Sequence, residues 1–188
     1  MSILVHICCA PCLLGPLDEL RRPGLVGYFH NPNIHPLIEF RRRLKAVKVL
    51  AEQERFDLVC DEQYGLAKFL DGVDWRGPGR CRDCYRLRLR GAAAVARQRG
   101  CAAFTTTLLV SRHQDHEAVR QGGEEVAAEA GVPFAYHDWR PLADNGRQAA
   151  KSRSLYCQQY CGCVFSEFDR YKDTGLHLYR PGQNIGCP

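Results

Sequence analysis

Eight cysteines of this sequence fall into three clusters whose spacing suits metal binding. The clusters are Cys8, Cys9 and Cys12; Cys81 and Cys84; and Cys157, Cys161 and Cys163. A short separation lets two thiolates reach one metal ion or one iron-sulfur cluster. Gly162, between two of these cysteines, allows the backbone to bend so that both sulfurs, or one sulfur and a backbone amide, can approach a cluster closely.

The thiols of Cys81 and Cys84 lie at the predicted start of a helix, beside Arg80 and Arg82. A helix N-terminus and neighbouring positive charges both favour the thiolate form of cysteine. We therefore expect the pKa of these two thiols to be lowered, which would make them good metal ligands.

The number of clustered thiols restricts the kind of centre. One tetrahedral zinc ion takes four ligands, and the adjacent pair Cys8 and Cys9 is unlike a zinc knuckle. The residues leave open either two metal centres or one cluster beside a redox-active or substrate-facing thiol. A zinc site remains an alternative, and so does a thioredoxin-like dithiol at Cys81 and Cys84, although the dithiol leaves the other clusters without a function.

Composition and the N-terminal residues indicate a reducing compartment. The first residues show no basic segment followed by a long apolar stretch, so we expect no signal peptide, no membrane anchor and a cytoplasmic protein. Cytoplasmic cysteines usually serve metal binding or catalysis rather than disulfides. The net charge of +5 permits a nucleic-acid partner without establishing one.

The elements that must position these cysteines alternate between strand and helix. Strands are predicted at residues 2–8, 25–30, 57–60, 102–110 and 134–137. Long helices are predicted from Pro36 to Ala51, over 81–99, and from a capping box at Ser111 and Gln114 to Ala130. This alternation predicts an α/β, doubly wound, three-layer architecture with a parallel sheet of about five strands.

We expect a single domain over residues 1–188, because no repeat or long linker divides the sequence. Its α/β core would cover residues 1–140, and a cysteine-rich C-terminal helical tail would cover residues 141–188.

Polar residues and cysteines follow three of the predicted strands. These residues are Cys8, Cys9 and Cys12 after the first strand, Asn31, Asn33 and His35 after the second, and Thr105, Thr106 and Thr107 at the end of the fourth. The carboxyl ends of parallel strands share one edge of a sheet, where ligands bind. The sequence therefore predicts one composite site at this edge.

Arginines on the predicted helix after Cys81 suggest a surface for nucleic acid. Arg82, Arg86 and Arg90 lie four residues apart, on one helix face that begins beside a candidate metal ligand. A solvated helix face is the alternative interpretation. The turn after the first strand has cysteines where an ATP-using protein of this fold would need glycines, so ATP use is disfavoured.

Six segments, in order, resemble one protein family. They are residues 6–12, 31–36 with Glu39, 81–88, 105–111 with Gln114 and His116, 138–141, and 160–166. These segments resemble the QueH type of epoxyqueuosine reductase from about residue 3 to residue 171. The resemblance implies a Rossmann-like (HUP or PP-loop-like) domain whose nucleotide loop is replaced by cysteines. It also implies a 4Fe-4S cluster beside a separately bound iron.

The activity implied by the resemblance is the cobalamin-independent reduction of epoxyqueuosine to queuosine at the wobble base of tRNA, the last step of queuosine biosynthesis. The metal ligands that it implies are Cys8, Cys9, Cys12, Cys81, Cys84, Cys161 and Cys163, with Asp83 and Asp138 as weaker candidates. Their division between cluster and iron is left open. Two departures from the family pattern, at Arg112 and His113 and at residues 142–144, affect loops that would contact the substrate.

Removal of an epoxide oxygen as water needs two electrons and two protons. A carrier such as ferredoxin or flavodoxin would supply the electrons, and a general acid would protonate the departing oxygen. Candidate acids are Asp83, Tyr85, His113 and Asp138. Candidate substrate or tRNA contacts are Asn31, Asn33, His35, Arg82, Arg86, Arg90, Thr105, Thr106, Thr107 and Arg140.

Two other functions remain as alternatives. A non-catalytic zinc protein that binds RNA would also need thiols and arginines, and a PP-loop-like tRNA-modifying enzyme would share the fold and the partner.

Overall fold

A computed structural model describes residues 2–174 of the chain. Its centre is a parallel sheet of four strands in the order β3-β2-β1-β4. The strands are β1 (Ile3–His6), β2 (Leu25–Phe29), β3 (Asp57–Cys60) and β4 (Ala103–Thr106). The middle of β1 is fully buried at Leu4 and Val5, as expected for a central strand covered on both faces.

The prediction of a fifth strand at residues 134–137 is wrong, because this segment forms only a single parallel bridge between Phe104 and Phe134. Pro133 has no N–H and contributes only its carbonyl, which accepts from the N–H of Phe104 at 2.9 Å. The carbonyl of Ala135 accepts the hydroxyl of Thr105 at 2.6 Å instead of a backbone N–H. The backbone ladder therefore ends after one bridge.

Eight α-helices lie within residues 2–174. They are α1 (Ala10–Leu14), α2 (Leu17–Arg21), α3 (Leu37–Glu54), α4 (Leu66–Gly72), α5 (Arg80–Gln98), α6 (His116–Ala130), α7 (Ala143–Ser152) and α8 (Val164–Tyr171). None of them is both long and apolar enough to cross a membrane. The predicted long helices correspond to α3, α5 and α6.

The N-terminus of α6 differs from its prediction. Its N-cap is Asp115, whose carboxylate accepts the N–H of Ala118 at 3.0 Å. Ser111 lies in the turn before the helix, where its hydroxyl oxygen accepts the N–H of His113. The predicted capping box at Ser111 and Gln114 is therefore wrong, because an aspartate one residue after Gln114 takes the N-cap position.

The part of the predicted C-terminal tail that the structure describes contains α7 and α8, and residues 175–188 lie outside the described residues. Helix α7 packs directly on α1. Gly146 makes this approach possible, since a Cβ at this position would lie only 2.3 Å from the carbonyl oxygen of Pro11. The segment after residue 141 thus packs beside the turn that carries the first cysteines.

The strand order places a crevice between β1 and β4. The chain adds β2 and β3 on one side of β1 and then returns to add β4 on the other side. Since crossovers between parallel strands are right-handed, α3 and α5 cover opposite faces of the sheet. Helix α5 packs on β1 and β4 through fully buried residues, among them Leu89 and Ala92. Ligands of such sheets bind beyond the carboxyl ends of the strands where the order reverses.

Candidate functional site

Cys8, Cys9 and Cys12 form the first thiol group, where β1 turns into α1. Their sulfur atoms all lie within 4.8 Å of one another, and all three residues are buried. Among residues 2–174 this is the sole group of metal-ligating side chains that meets such a distance. The compact β1-to-α1 turn therefore gathers three of the seven predicted ligands.

Thr107 bonds to Cys8 across the crevice between β1 and β4. Its hydroxyl oxygen accepts the N–H of Cys8 at 3.0 Å, and its hydroxyl can also donate to the Cys8 sulfur, 3.2 Å away. Hydrogen bonds from the thiols of Cys12 and Cys9, with smaller contributions from Arg88 and Thr107, hold the pKa of Cys8 well below its usual range. The thiolate form, which binds metal, is therefore favoured at Cys8.

Cys81, Cys84, Cys161 and Cys163 form the second thiol group, between the start of α5 and the start of α8. Negative charge on Cys163 would raise the pKa of each of the other three, so these thiols share one electrostatic environment. Burial is the largest effect on Cys84 and raises its pKa to about 12. Burial also raises the pKa of Cys81, against the opposing charge of Arg80. The predicted lowering of these two pKa values is therefore wrong.

Arg43 attaches the segment of Cys161 to α3. Its guanidinium, 1% exposed, donates to the carbonyl oxygens of Cys161 at 2.9 Å and Tyr160 at 3.0 Å. Its Nε donates to the buried carboxylate of Glu39 at 2.7 Å, and the hydroxyl of Tyr156 donates to the other oxygen of that carboxylate. A buried charge is stable only with such partners.

Gly162 has a φ of 132°, a backbone conformation that favours glycine. Its carbonyl accepts the N–H of His35 at 2.7 Å, and the hydroxyl of Tyr160 donates to the carbonyl of His35. A Cβ on Gly162 would lie 3.0 Å from Ile34 and 3.3 Å from a nitrogen of Arg43. The prediction that glycine lets the backbone bend here is confirmed.

Arg88 lies between the two thiol groups and was not predicted as a site residue. It is 1% exposed, and its Nη2 donates to the side-chain oxygen of Asn31 at 2.8 Å. The amide of Asn31 in turn donates to the carbonyl of Ile7, the residue before Cys8. A sequence signal exists, because Arg88 follows Cys84 by four residues and therefore shares its buried helix face.

A cavity of about 670 Å³ opens onto both thiol groups. Its lining includes Cys8 and Cys12 from the first group, Cys161 from the second, and Cys157. Four of the five residues at the two departures from the family pattern also line it, namely Arg112, His113, Ala143 and Asp144. Arg147 and Arg170 add positive charge, whereas Arg43 pairs with Glu39 and Arg112 pairs with Asp144, each at 2.7 Å.

The four candidate acids differ in their access to this cavity. His113 lines it. Tyr85 is buried outside the lining, and burial raises its pKa. The Tyr85 hydroxyl donates to Gln114 at 2.8 Å, and the amide nitrogen of Gln114 lies 3.4 Å from the sulfur of Cys161.

The other two candidates, Asp83 and Asp138, do not line the cavity, and their carboxylates bond to other groups. Asp83 accepts the N–H of Asp74 at 3.0 Å. Asp138 pairs with Arg140 at 2.5 Å, and this contact holds the pKa of Asp138 well below its usual range. Asp138 is therefore ionised at neutral pH and has no proton to donate.

Most of the candidate substrate contacts are inside the protein. The residues with at most 2% exposure are Asn31, Asn33, His35, Thr105, Thr106 and Thr107. These residues do not lie on a surface that a tRNA backbone could reach. Thr107 and Asn31 instead bond to Cys8 and Ile7, which positions the first thiol group.

The predicted arginine face of α5 packs toward α6. Arg86 pairs with Glu125 at 3.0 Å, and Arg90 pairs with Glu129 at 3.1 Å. Arg82 is exposed. Two of the three charges on this face are therefore paired within the protein.

Comparisons with known proteins agree with the resemblance in the sequence. The chain matches the family described as "Epoxyqueuosine reductase QueH" over residues 3–169. A relative of that name from Dehalococcoides mccartyi is 38% identical over 172 residues, which cover 90% of this chain and 94% of the relative. Another from Thermotoga maritima is 33% identical over 178 residues, covering 90% and 92%.

The contacts of Arg43 yield a prediction about stability. Arg43→Met leaves the carboxylate of Glu39 buried without its charge partner, so the free energy of unfolding should fall by about 3–5 kcal/mol. Urea denaturation measures this change, and amide hydrogen exchange should speed up over residues 156–163. Arg41→Met, on an exposed position of the same helix, should change the free energy by less than about 0.5 kcal/mol. Equal effects of the two substitutions would contradict the assigned role.

Proposed function

This chain belongs to the QueH family of epoxyqueuosine reductases, and we propose that it reduces epoxyqueuosine in the anticodon of tRNA to queuosine, without cobalamin. The observation that carries this proposal is the cavity of about 670 Å³, whose wall contains thiols of both groups. Such a volume is within the range of small-ligand sites and can accept one modified nucleoside extruded from the anticodon loop.

The donor set of the site fits an iron-sulfur centre. The two groups together offer seven thiols, more than the four cysteines that a 4Fe-4S cluster takes, so thiols remain for a separate iron. Arg43 and Arg88 supply buried positive charge beside these sulfur atoms. When bound, this centre supplies electrons and an electrophilic iron for the epoxide oxygen. The electrons come from a small carrier such as ferredoxin or flavodoxin.

The protein's own residues bind the nucleoside and provide a proton. In the balanced reaction both carbon–oxygen bonds of the epoxide break, two electrons and two protons are consumed, and an alkene and water form. Of the four candidate acids, His113 is the one that lines the cavity. We assign it the transfer of one of the two protons, from a ring N–H to the departing oxygen, with water supplying the other. The hydroxyl of Tyr85 donates to the side-chain oxygen of Gln114 and so positions the Gln114 amide nitrogen that contacts the sulfur of Cys161.

Arginines at the cavity offer a surface for the tRNA backbone. Arg147 and Arg170 are exposed, line the cavity and make no ion pair within residues 2–174, in contrast to Arg86 and Arg90. Phosphates held by these two arginines would lie beside the nucleoside that enters the cavity. We therefore assign the main phosphate contacts to Arg147 and Arg170 rather than to the outer face of α5.

The function is tested with anaerobically purified chain. It should contain iron and acid-labile sulfide, and it should convert epoxyqueuosine in tRNA to queuosine when reduced flavodoxin is supplied without cobalamin or ATP. Nucleoside mass spectrometry measures the conversion. Zinc in place of iron and sulfide, or a requirement for ATP, would overturn the proposal in favour of a zinc RNA-binding protein or an ATP-dependent enzyme, respectively.

The proton donor is tested in the same assay under single turnover. His113→Gln should slow the reaction by about 10²–10⁴-fold, the usual contribution of a general acid, with iron content unchanged. Asp138→Asn serves as the matched control because its carboxylate is ionised, and it should retain nearly the full rate. A large loss in Asp138→Asn with none in His113→Gln would reverse the assignment.

The phosphate contacts are tested by tRNA binding at several salt concentrations. The double variant Arg147→Gln and Arg170→Gln should bind more weakly, and the slope of log affinity against log salt should fall by about 2, one for each lost contact. The double variant Arg86→Gln and Arg90→Gln makes the same chemical change on α5 and should leave the slope unchanged. The opposite result would return the contact surface to α5.

A further inference from the structure

We propose that Arg88 is a positioning residue that holds an anionic metal centre between the two thiol groups and raises the reduction potential of that centre. This inference rests on the iron-sulfur function proposed above and adds a residue outside the set of thiol ligands.

Arg88 is fixed to both thiol groups through its position in the fold. It follows Cys84 by one helical turn on α5, so the two side chains share a face. Its Nη2 bonds to Asn31, and Asn31 bonds to the carbonyl of Ile7, directly before Cys8. One guanidinium therefore connects the helix of the second group to the turn of the first group.

Two of the three nitrogens of this guanidinium are buried without a hydrogen bond, namely Nε and Nη1. Besides Asn31, the side chain within hydrogen-bonding reach of Arg88 is the thiol of Cys84. Arg43, which is equally buried, is by contrast paired with Glu39 and two carbonyl oxygens. A buried charge without a partner is costly, and neutral thiols do not compensate for it.

Anionic sulfur in the neighbouring thiol groups would compensate for this charge. Cys84 lies one helical turn from Arg88 on α5, and Asn31 links Arg88 to the turn that carries Cys8. The charge of Arg88 thus favours negative sulfur in both groups. The positive charge of Arg88 also stabilises the electron that a one-electron carrier adds to the centre. This stabilisation raises the reduction potential of the centre.

The test compares Arg88→Met with Arg90→Met, an exposed arginine two residues further along α5. For each variant, the melting temperature is measured for iron-free chain and for chain loaded anaerobically with iron and sulfide. The midpoint potential of the loaded chain is measured by a redox titration followed by electron paramagnetic resonance.

In Arg88→Met we expect the gain in melting temperature on loading to shrink, because the iron-free chain loses an uncompensated charge and the loaded chain loses an attractive one. The midpoint potential should become more negative by about 59 mV, equivalent to a tenfold smaller ratio of reduced to oxidised centre at a fixed potential. Arg90→Met should change neither quantity.

Asn31→Asp provides a second variant that is nearly isosteric and keeps an oxygen acceptor for Arg88, while its carboxylate no longer donates to the carbonyl of Ile7. The added carboxylate offsets the charge of Arg88, so the midpoint potential should again fall.

A role in packing alone would lower both melting temperatures of Arg88→Met equally and leave both midpoint potentials at the wild-type value. That result overturns the inference about Arg88 without affecting the proposed function, and an unchanged potential in Asn31→Asp does so even if Arg88→Met fails to fold. Wild-type chain that binds zinc but no iron and sulfide overturns the proposed function itself.

Discussion

Arg43 is buried where the C-terminal part of the chain passes over α3, and its charge has to be satisfied there. Glu39 supplies the opposite charge, and the carbonyl oxygens of Tyr160 and Cys161 take two of the remaining N–H donors. The backbone at Tyr160 and Cys161 is therefore held in one position over α3, and the turn at Gly162 follows directly. This position fixes Cys161 beside the cysteines of α5. Half of the second thiol group thus depends on an arginine that binds no metal.

The parallel sheet explains why thiols from distant parts of the chain can meet. Doubly wound proteins bind ligands at the carboxyl edge of the sheet, where the strand order reverses. In this protein Thr107 at the end of β4 bonds to Cys8 at the end of β1, across that position. Cysteines thus occupy the place where many proteins of this class bind nucleotide phosphates with glycine-rich turns. The sheet therefore has the same crevice as in those proteins, but the side chains that face the crevice are thiols.

Sequence reasoning predicted the shared edge but not the groups that organise it. Cys8 and Thr107 could be predicted together, because residues after parallel strands converge whatever the details of packing. Arg43 could not, since it follows Arg41 and Arg42, and a run of arginines is typical of a solvated helix face.

The ion pairs between α5 and α6 could not be predicted from the sequence either. The charges of Arg86 and Arg90 are matched by two glutamates of α6 that also lie four residues apart, and a single sequence does not reveal which helices pack together. The prediction of a fifth strand failed for a local reason, because Pro133 and the hydroxyl of Thr105 interrupt the backbone ladder.

Contacts between distant parts of the chain have a further consequence for biosynthesis. Arg43 and Cys161 are 118 residues apart, so the bond between them cannot form until residue 161 has left the ribosome. The first three strands, which end at Cys60, can meet much earlier, whereas the seven thiols of the two groups are present together only after Cys163 has been synthesised. A chain that stalls before residue 161 therefore carries five of these seven thiols, and its second thiol group is incomplete.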